Sequence, residues 1–348
     1  MNLVDTFLKL ISIESETGKE DNILDFIEKF LEDNNFQGEI RRNSGGILAI
    51  PNKSSKNIAL VGHVDTVPVV PNQQYEFDND DFIGGRGSVD MKGGIAVMLQ
   101  SLIENSSEII GVFYTAEESS FEDNGLNIIM PMLLSDFDIE FAIILEPTDN
   151  EIQLGCLGAL NATLTINGKA AHSARPWVGD NPIYKIKDLI KLVEDNEINE
   201  IEIDGLNFKQ VMSITKISSG IANNVIPETL KLNLNFRYSP ELNGSQASSF
   251  IKDLFPDTVE VEVLNTSNGA MPNKSDEKVS EFIKTTGAIV QPKQAWTDIA
   301  RFYEHKIPCL NFGPGDPLLA HATNEHISKK QLLESYELLS SYLGAKSE

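Results

Sequence analysis

The chain has 348 residues, more than one core usually organises, so two domains are expected. Its 28 basic and 52 acidic residues leave a net charge of −24, which argues against nucleic acid and anionic membranes as partners, since both need a basic face. No apolar run approaches the ~20 residues of a membrane span. The start, Met1-Asn2-Leu3-Val4-Asp5, lacks the basic and apolar regions of a signal peptide. Two cysteines, Cys156 and Cys309, are too few for a disulfide framework and fit a reducing, cytoplasmic setting as small buried residues.

Residues 20–34 place apolar side chains at Ile23, Leu24, Phe26, Ile27, Phe30 and Leu31, a helical period. Strands follow at 46–50 and 58–62, a helix at 92–105, and strands at 109–115 and 141–145. That alternation predicts βαβ units in a mainly parallel sheet with helices on both faces. The character changes after residue 155. Over 229–238, Leu230, Leu232, Leu234 and Phe236 alternate with Lys231, Asn233, Asn235 and Arg237, a half-exposed antiparallel strand. Similar strands fit 158–167, 211–219 and 258–264, with helices near 182–195 and 244–254. The cluster 265–273 reads as a return linker, before a helix at 275–286, a strand at 307–312 and a last helix at 328–344. The expected fold is therefore an α/β domain from 1–156 and 270–348, interrupted by a smaller α+β domain over 157–269 with an antiparallel sheet and two helices.

Three of the apolar strands end in residues that bind metals. The run 58–62 leads into His63 and Asp65, 109–116 into Glu117 and Glu118, and 141–145 into Glu146. Open α/β sheets bind ligands outside the carboxyl ends of their strands. Asp90 stands in the glycine-rich stretch 85–94, where a short side chain on an exposed backbone can approach ions closely. That stretch has neither the GxxxxGK[ST] pattern nor GxGxxG after a strand, which argues against phosphate. Taken singly, His63 is also a plausible structural histidine, Glu117-Glu118 a solvated acidic loop, and Glu146-Pro147 a turn. Taken jointly, four carboxylates and a histidine at one sheet edge predict a metal site for two ions. Of two adjacent glutamates at a strand end, one can ligate metal while the other faces the substrate as general base.

These residues resemble the zinc-dependent aminoacylase and carboxypeptidase family that includes acetylornithine deacetylase and succinyl-diaminopimelate desuccinylase. The matching motifs are Gly62-His63-Val64-Asp65-Thr66-Val67-Pro68, the stretch 85–94, Glu117-Glu118, Glu146-Pro147 and His321-Ala322-Thr323-Asn324-Glu325. The resemblance spans essentially the whole chain. It implies a metal set of His63, Asp90, Glu118, Glu146 and His321, with Asp90 bridging two zinc ions and cobalt or manganese as alternatives. It also implies Glu117 as general base, Asp65 supporting His63, and His172 as an oxyanion donor from a neighbouring subunit of a homodimer. On that basis 1–156 and 270–348 form the catalytic domain and 157–269 a dimerisation or lid domain. The compact actinobacterial type of desuccinylase is nearest in pattern, through Ala171-His172-Ser173-Ala174-Arg175-Pro176-Trp177, the stretch 220–227, Trp296-Thr297-Asp298-Ile299-Ala300-Arg301-Phe302 and the stretch 311–317. The implied substrate is a small N-acyl amino acid, N-succinyl-diaminopimelate, with Arg237, Arg301, Arg175, Asn224 and Thr297 as its contacts. Another deacylase or exopeptidase of the family, or a non-catalytic binding relative, is the competing reading. His326 rivals His321 as a ligand, but the His-x-x-Asn-Glu pattern favours His321 and assigns His326 to the start of the last helix. His305, among charged residues, reads as surface.

Overall fold

A computed structural model describes residues 2–52, 57–69, 76–104 and 109–344. The chain divides into two compact units, the first from Met1–Leu154, Asn273–Gln291 and Arg301–Glu348, the second from Gly155–Pro272 and Pro292–Ala300.

The first unit is built on a sheet whose strands run, in spatial order, Gly38–Asn43, Gly46–Pro51, Ile109–Tyr114, Asn57–His63, Ile139–Ile144 and Cys309–Asn311, followed by Ile152–Cys156 and Val290–Lys293. Its centre is parallel: Asn57–His63 lies between Ile109–Tyr114 and Ile139–Ile144, and Cys309–Asn311 extends the parallel set. The flanking pairs are antiparallel. The central strands are wholly or almost wholly buried, as their continuous apolar sequences require. Because the register sets His63 opposite Tyr114 and Val61 opposite Ile144, three strands finish side by side.

Helix Lys92–Glu104 is apolar nearly all round and buried along most of its length. It matches the expected helix at 92–105, whose last residue lies outside the described residues. Gly94 lets it approach the sheet: a Cβ there would lie 2.1 Å from the Leu145 carbonyl oxygen. The loop ahead of this helix, which carries Asp90, is thereby brought down onto the strand end that leads to Glu146. Two helices add to the expected elements: Leu3–Ile11, whose Leu3, Phe7, Leu10 and Ile11 share one buried face, and Leu126–Asp136, which contains Pro131. A small three-stranded sheet of Phe77–Asp78, Phe82–Gly84 and His326–Ser328 completes the unit. His326 thus begins a strand, not the last helix. It pairs with Gly84, and the helix starts at Lys329.

The second unit is a five-stranded antiparallel sheet in the order Ile198–Ile203, Leu206–Ser219, Thr229–Tyr238, Gly158–Asn167, Val259–Ser267. Leu230, Leu232, Leu234 and Phe236 are buried with Leu160, Leu164 and Met212, and with Leu189, Val193, Ala247 and Ile251 from helices Ile186–Glu194 and Gly244–Leu254. The alternate residues form a polar face, where Asn161 accepts from Asn235 at 3.0 Å and donates to Asn265 at 3.1 Å. Two boundaries differ from expectation. Residues 265–267 are strand, because after an irregularity at Val263/Asn265 they still pair with Asn161, Leu160 and Ala159. Residues 292–300 group with the second unit, where Gln294 bonds Lys209 N and Asn207 O and Trp296 Nε1 donates to Asn268 O.

Candidate metal centre

The strand ends converge as the sequence predicts. His63, Asp90 and Glu146 form one group able to hold a metal ion, and Asp90, Glu118 and His321 form another. Asp90 divides its carboxylate between them, with Oδ1 2.9 Å from His63 Nε2 and Oδ2 3.3 Å from His321 Nε2. His321 Nε2 is also 2.7 Å from Glu118 Oε1. Glu117 belongs to neither of these pairs but lies with His63 and Glu118 in a third group. His326 is elsewhere, its Nδ1 2.6 Å from the Asn324 carbonyl and its ring edge-on to Phe82. His305 is exposed, and Cys156 and Cys309 are buried and form no disulfide.

Electrostatics fit a cation-binding centre. Burial alone would push the His63 imidazole down, yet the Asp65 and Asp90 carboxylates hold it well above the ordinary histidine range. His321 is raised to about 10 by Asp90 and Glu118. Burial would likewise raise Asp90, but His321 and His63 outweigh it and keep its carboxyl well below the usual range. Carboxylates crowded this closely need positive charge among them. All the donors are imidazole nitrogens and carboxylate oxygens, a set that suits zinc and its neighbours.

The surrounding shell was only partly legible. Asp65 is fully buried and supports His63 through its carbonyl oxygen, 3.0 Å from Nδ1. Its carboxylate lies 3.6 Å from that nitrogen, too far for a hydrogen bond, and instead accepts from the Glu117 and Glu118 backbone N–H groups at 3.0 and 3.1 Å. Thr17 Oγ1 donates to the same carboxylate at 2.8 Å, a contact no sequence motif announced. Ala116 turns the chain with φ 55, a left-handed conformation unusual for a residue with a Cβ, and its N–H meets Glu20 Oε1 at 3.3 Å. His321 has φ 62. Such conformations persist where neighbours fix them, often at working sites. Glu146 is set by the next turn, where Thr148 Oγ1 and the Gly313 backbone bond each other at 3.1 Å.

In the second unit, His172 pairs with Val225 across a short two-stranded ladder. Ser173 N donates to Asn224 O at 2.9 Å, and Ala174 N donates to His172 Nδ1 at 3.1 Å. Because Nδ1 accepts, the proton of the neutral ring sits on Nε2, which is left as a donor. His172, Asn224 and Arg175 are exposed, whereas Thr297 is buried. Arg237 is half-buried, and its Nε donates to Asn235 Oδ1 at 3.2 Å. Arg301, in the first unit, is already engaged. Its guanidinium lies 3.9 Å over the Phe121 ring, with Nη1 2.6 Å from Asn127 Oδ1 and Nη2 3.1 Å from Phe121 O.

The family model for peptidase family M20/M25/M40 matches residues 59–345. The chain belongs to this family. A Corynebacterium glutamicum succinyl-diaminopimelate desuccinylase is 34% identical over 348 residues, covering 96% of this chain and 94% of that one. A Mycobacterium tuberculosis protein provisionally assigned as a desuccinylase, DapE, is 36% identical over 341 residues, covering 96% of each chain. The Bacillus cereus aminopeptidase PepT shares the fold, with a TM-score of 0.76 at 20% identity over 99% of this chain and 98% of its own. Among the described residues, no helix is long and apolar enough to cross a membrane.

Proposed function

We propose that this chain is a two-metal amidohydrolase that removes the succinyl group from N-succinyl-LL-2,6-diaminopimelate, releasing succinate and LL-diaminopimelate for lysine biosynthesis. The carrying observation is the divided Asp90 carboxylate between His63 and His321, with Glu117 alongside. The choice of acyl group rests on the desuccinylases that resemble the chain along its length. His63, Asp90 and Glu146 would hold one ion and Asp90, Glu118 and His321 the other. Zinc there, or cobalt or manganese, would polarise the acyl carbonyl and lower the pKa of water towards about 7.

The remaining steps belong to the protein. Glu117, its backbone fixed by Asp65, takes the proton of the attacking water and returns it to the amine as the C–N bond breaks. His172 Nε2–H stabilises the oxyanion of the tetrahedral intermediate, supplied by a second copy of the chain. The substrate carries three carboxylates, which a chain of net charge −24 repels unless local cations intervene. Arg237, bonded to the neutral amide of Asn235, leads for this role, since a guanidinium matches a carboxylate with two parallel hydrogen bonds. Arg175, Asn224 and Thr297 follow. Arg301 ranks behind Arg237 because its donors already serve Asn127 and Phe121. A cytoplasmic location suits two cysteines that form no disulfide.

A homodimer is supported by an open strand edge. Strand Leu206–Ser219 is paired by Ile198–Ile203 only as far as Val211, and Met212 N still donates to Glu197 O, so the open edge runs over residues 213–219. The outer strands carry Glu200 and Glu202 or Glu260 and Glu262, charges that discourage further pairing, whereas 213–219 carries one charge, Lys216. Ile186, Ile190, Ile214 and Ile217 line an apolar groove of about 370 Å³ there. Sedimentation should give a dimer, and Ile217→Glu a monomer. A monomeric wild type would exclude this interface.

The substrate assignment is tested by hydrolysis of N-succinyl-LL-diaminopimelate and N-acetylornithine side by side. A higher kcat/KM for the succinylated compound is expected, and a preference for acetylornithine would overturn the assignment.

A further inference from the structure

Glu325 ends the segment that supplies His321, yet its side chain serves a different loop. It is 1% exposed, and its carboxylate is enclosed by donors from the glycine-rich stretch. Oε2 accepts from Arg86 Nη1 at 2.9 Å and Gly87 N at 3.1 Å, and Oε1 accepts from Val89 N at 2.9 Å and Asp90 N at 3.1 Å. The backbone also joins, with Gly85 N donating to Glu325 O at 3.1 Å. We infer that Glu325 is a positioning residue for the bridging carboxylate: it fixes the Asp90 backbone, couples that loop to the His321 segment, and thereby sets the affinity of both metal positions.

The chemistry favours a carboxylate here over any neutral substitute. Each oxygen faces two donors, so only a group with two acceptor oxygens satisfies all four. In Glu325→Gln, either orientation of the amide sets an NH₂ against two N–H donors. The loop must then shift, and Asp90 shifts with it. Residues that orient metal ligands typically cost 10–100-fold in metal affinity when changed. Because Asp90 is common to both groups, the loss should fall on both ions. Glu118 and Glu146 are held by other elements, so their positions need not change with it.

This inference rests on the two-metal reading above, and cobalt(II) titration keeps the two apart. Wild-type protein that binds no cobalt would sink the two-metal reading itself. If it binds two ions per chain, Glu325→Gln should bind both roughly 10–100-fold more weakly. It should also show an altered visible cobalt spectrum, with an unchanged far-UV circular dichroism spectrum and an unchanged KM once metal is saturating. Wild-type affinity and spectrum in a folded Glu325→Gln protein would overturn the inference. Should that variant fail to fold, Arg86→Gln removes one donor and leaves the backbone bonds. A several-fold weaker cobalt affinity is then expected, and wild-type affinity in Arg86→Gln would count equally against it.

Discussion

The strand-end cluster of the first unit is enclosed, whereas the His172 ladder of the second is exposed. Around the cluster, buried strands deliver His63, Glu117 and Glu146, and Asp65, Thr17 and Glu325 bind the loops between them. His172 stands on a ladder of two residue pairs, exposed, beside Trp177 at 77% and Ile221 at 92% exposure. The contrast separates two tasks. Holding several like charges within a few ångströms needs fixed geometry, because each displacement exposes a carboxylate to its neighbours' repulsion. Meeting a substrate, or a second copy of the chain, needs accessible donors that gain their partners on assembly.

Three substitutions divide these tasks, in descending order of effect. Glu117→Gln should lower kcat by about 10²–10⁴ while bound metal stays at the wild-type amount, because the general base is lost and neither ligand group changes. Elemental analysis alongside the kinetics checks this, and loss of metal in that variant would make Glu117 a ligand instead. His172→Ala should lower kcat by about 10²–10³, again with full metal content. Unchanged turnover there would remove His172 from the chemistry. Arg237→Ala should act on binding, raising KM for the succinylated substrate by roughly 10–100-fold, the worth of about 1.5–3 kcal/mol in charge-assisted hydrogen bonds. An equal effect on an uncharged acyl amino acid would show that Arg237 does not read the succinyl carboxylate.

What the sequence reveals follows from the distance over which each feature is encoded. Ligands at the ends of buried strands are visible because the apolar run and its terminal His or Glu are adjacent in the chain. The Leu230/Lys231 alternation is visible for the same reason, as one face of a strand is buried and the other is not. The family resemblance implies that Asp65 supports His63, and its carbonyl oxygen does so, yet its carboxylate serves the Glu117 and Glu118 backbone, a contact across 52 and 53 residues. Glu325 reaches Arg86 across 239 residues, and Thr17 reaches Asp65 across 48. Neither pairing has a local pattern. Arg301 shows the same gap: its motif suggested a substrate carboxylate, while in the fold it grips the turn at Phe121 and Asn127. Helix Leu126–Asp136 was obscured by Pro131, which reads locally as a break.

The most direct measurement is succinate release from N-succinyl-LL-diaminopimelate before and after chelation, followed by stepwise return of zinc with metal content measured at each point. The account predicts that release stops on chelation and recovers fully as the bound metal approaches two ions per chain. Release that persists in fully metal-free protein, or that is complete without either Asp90 group being filled, would contradict it.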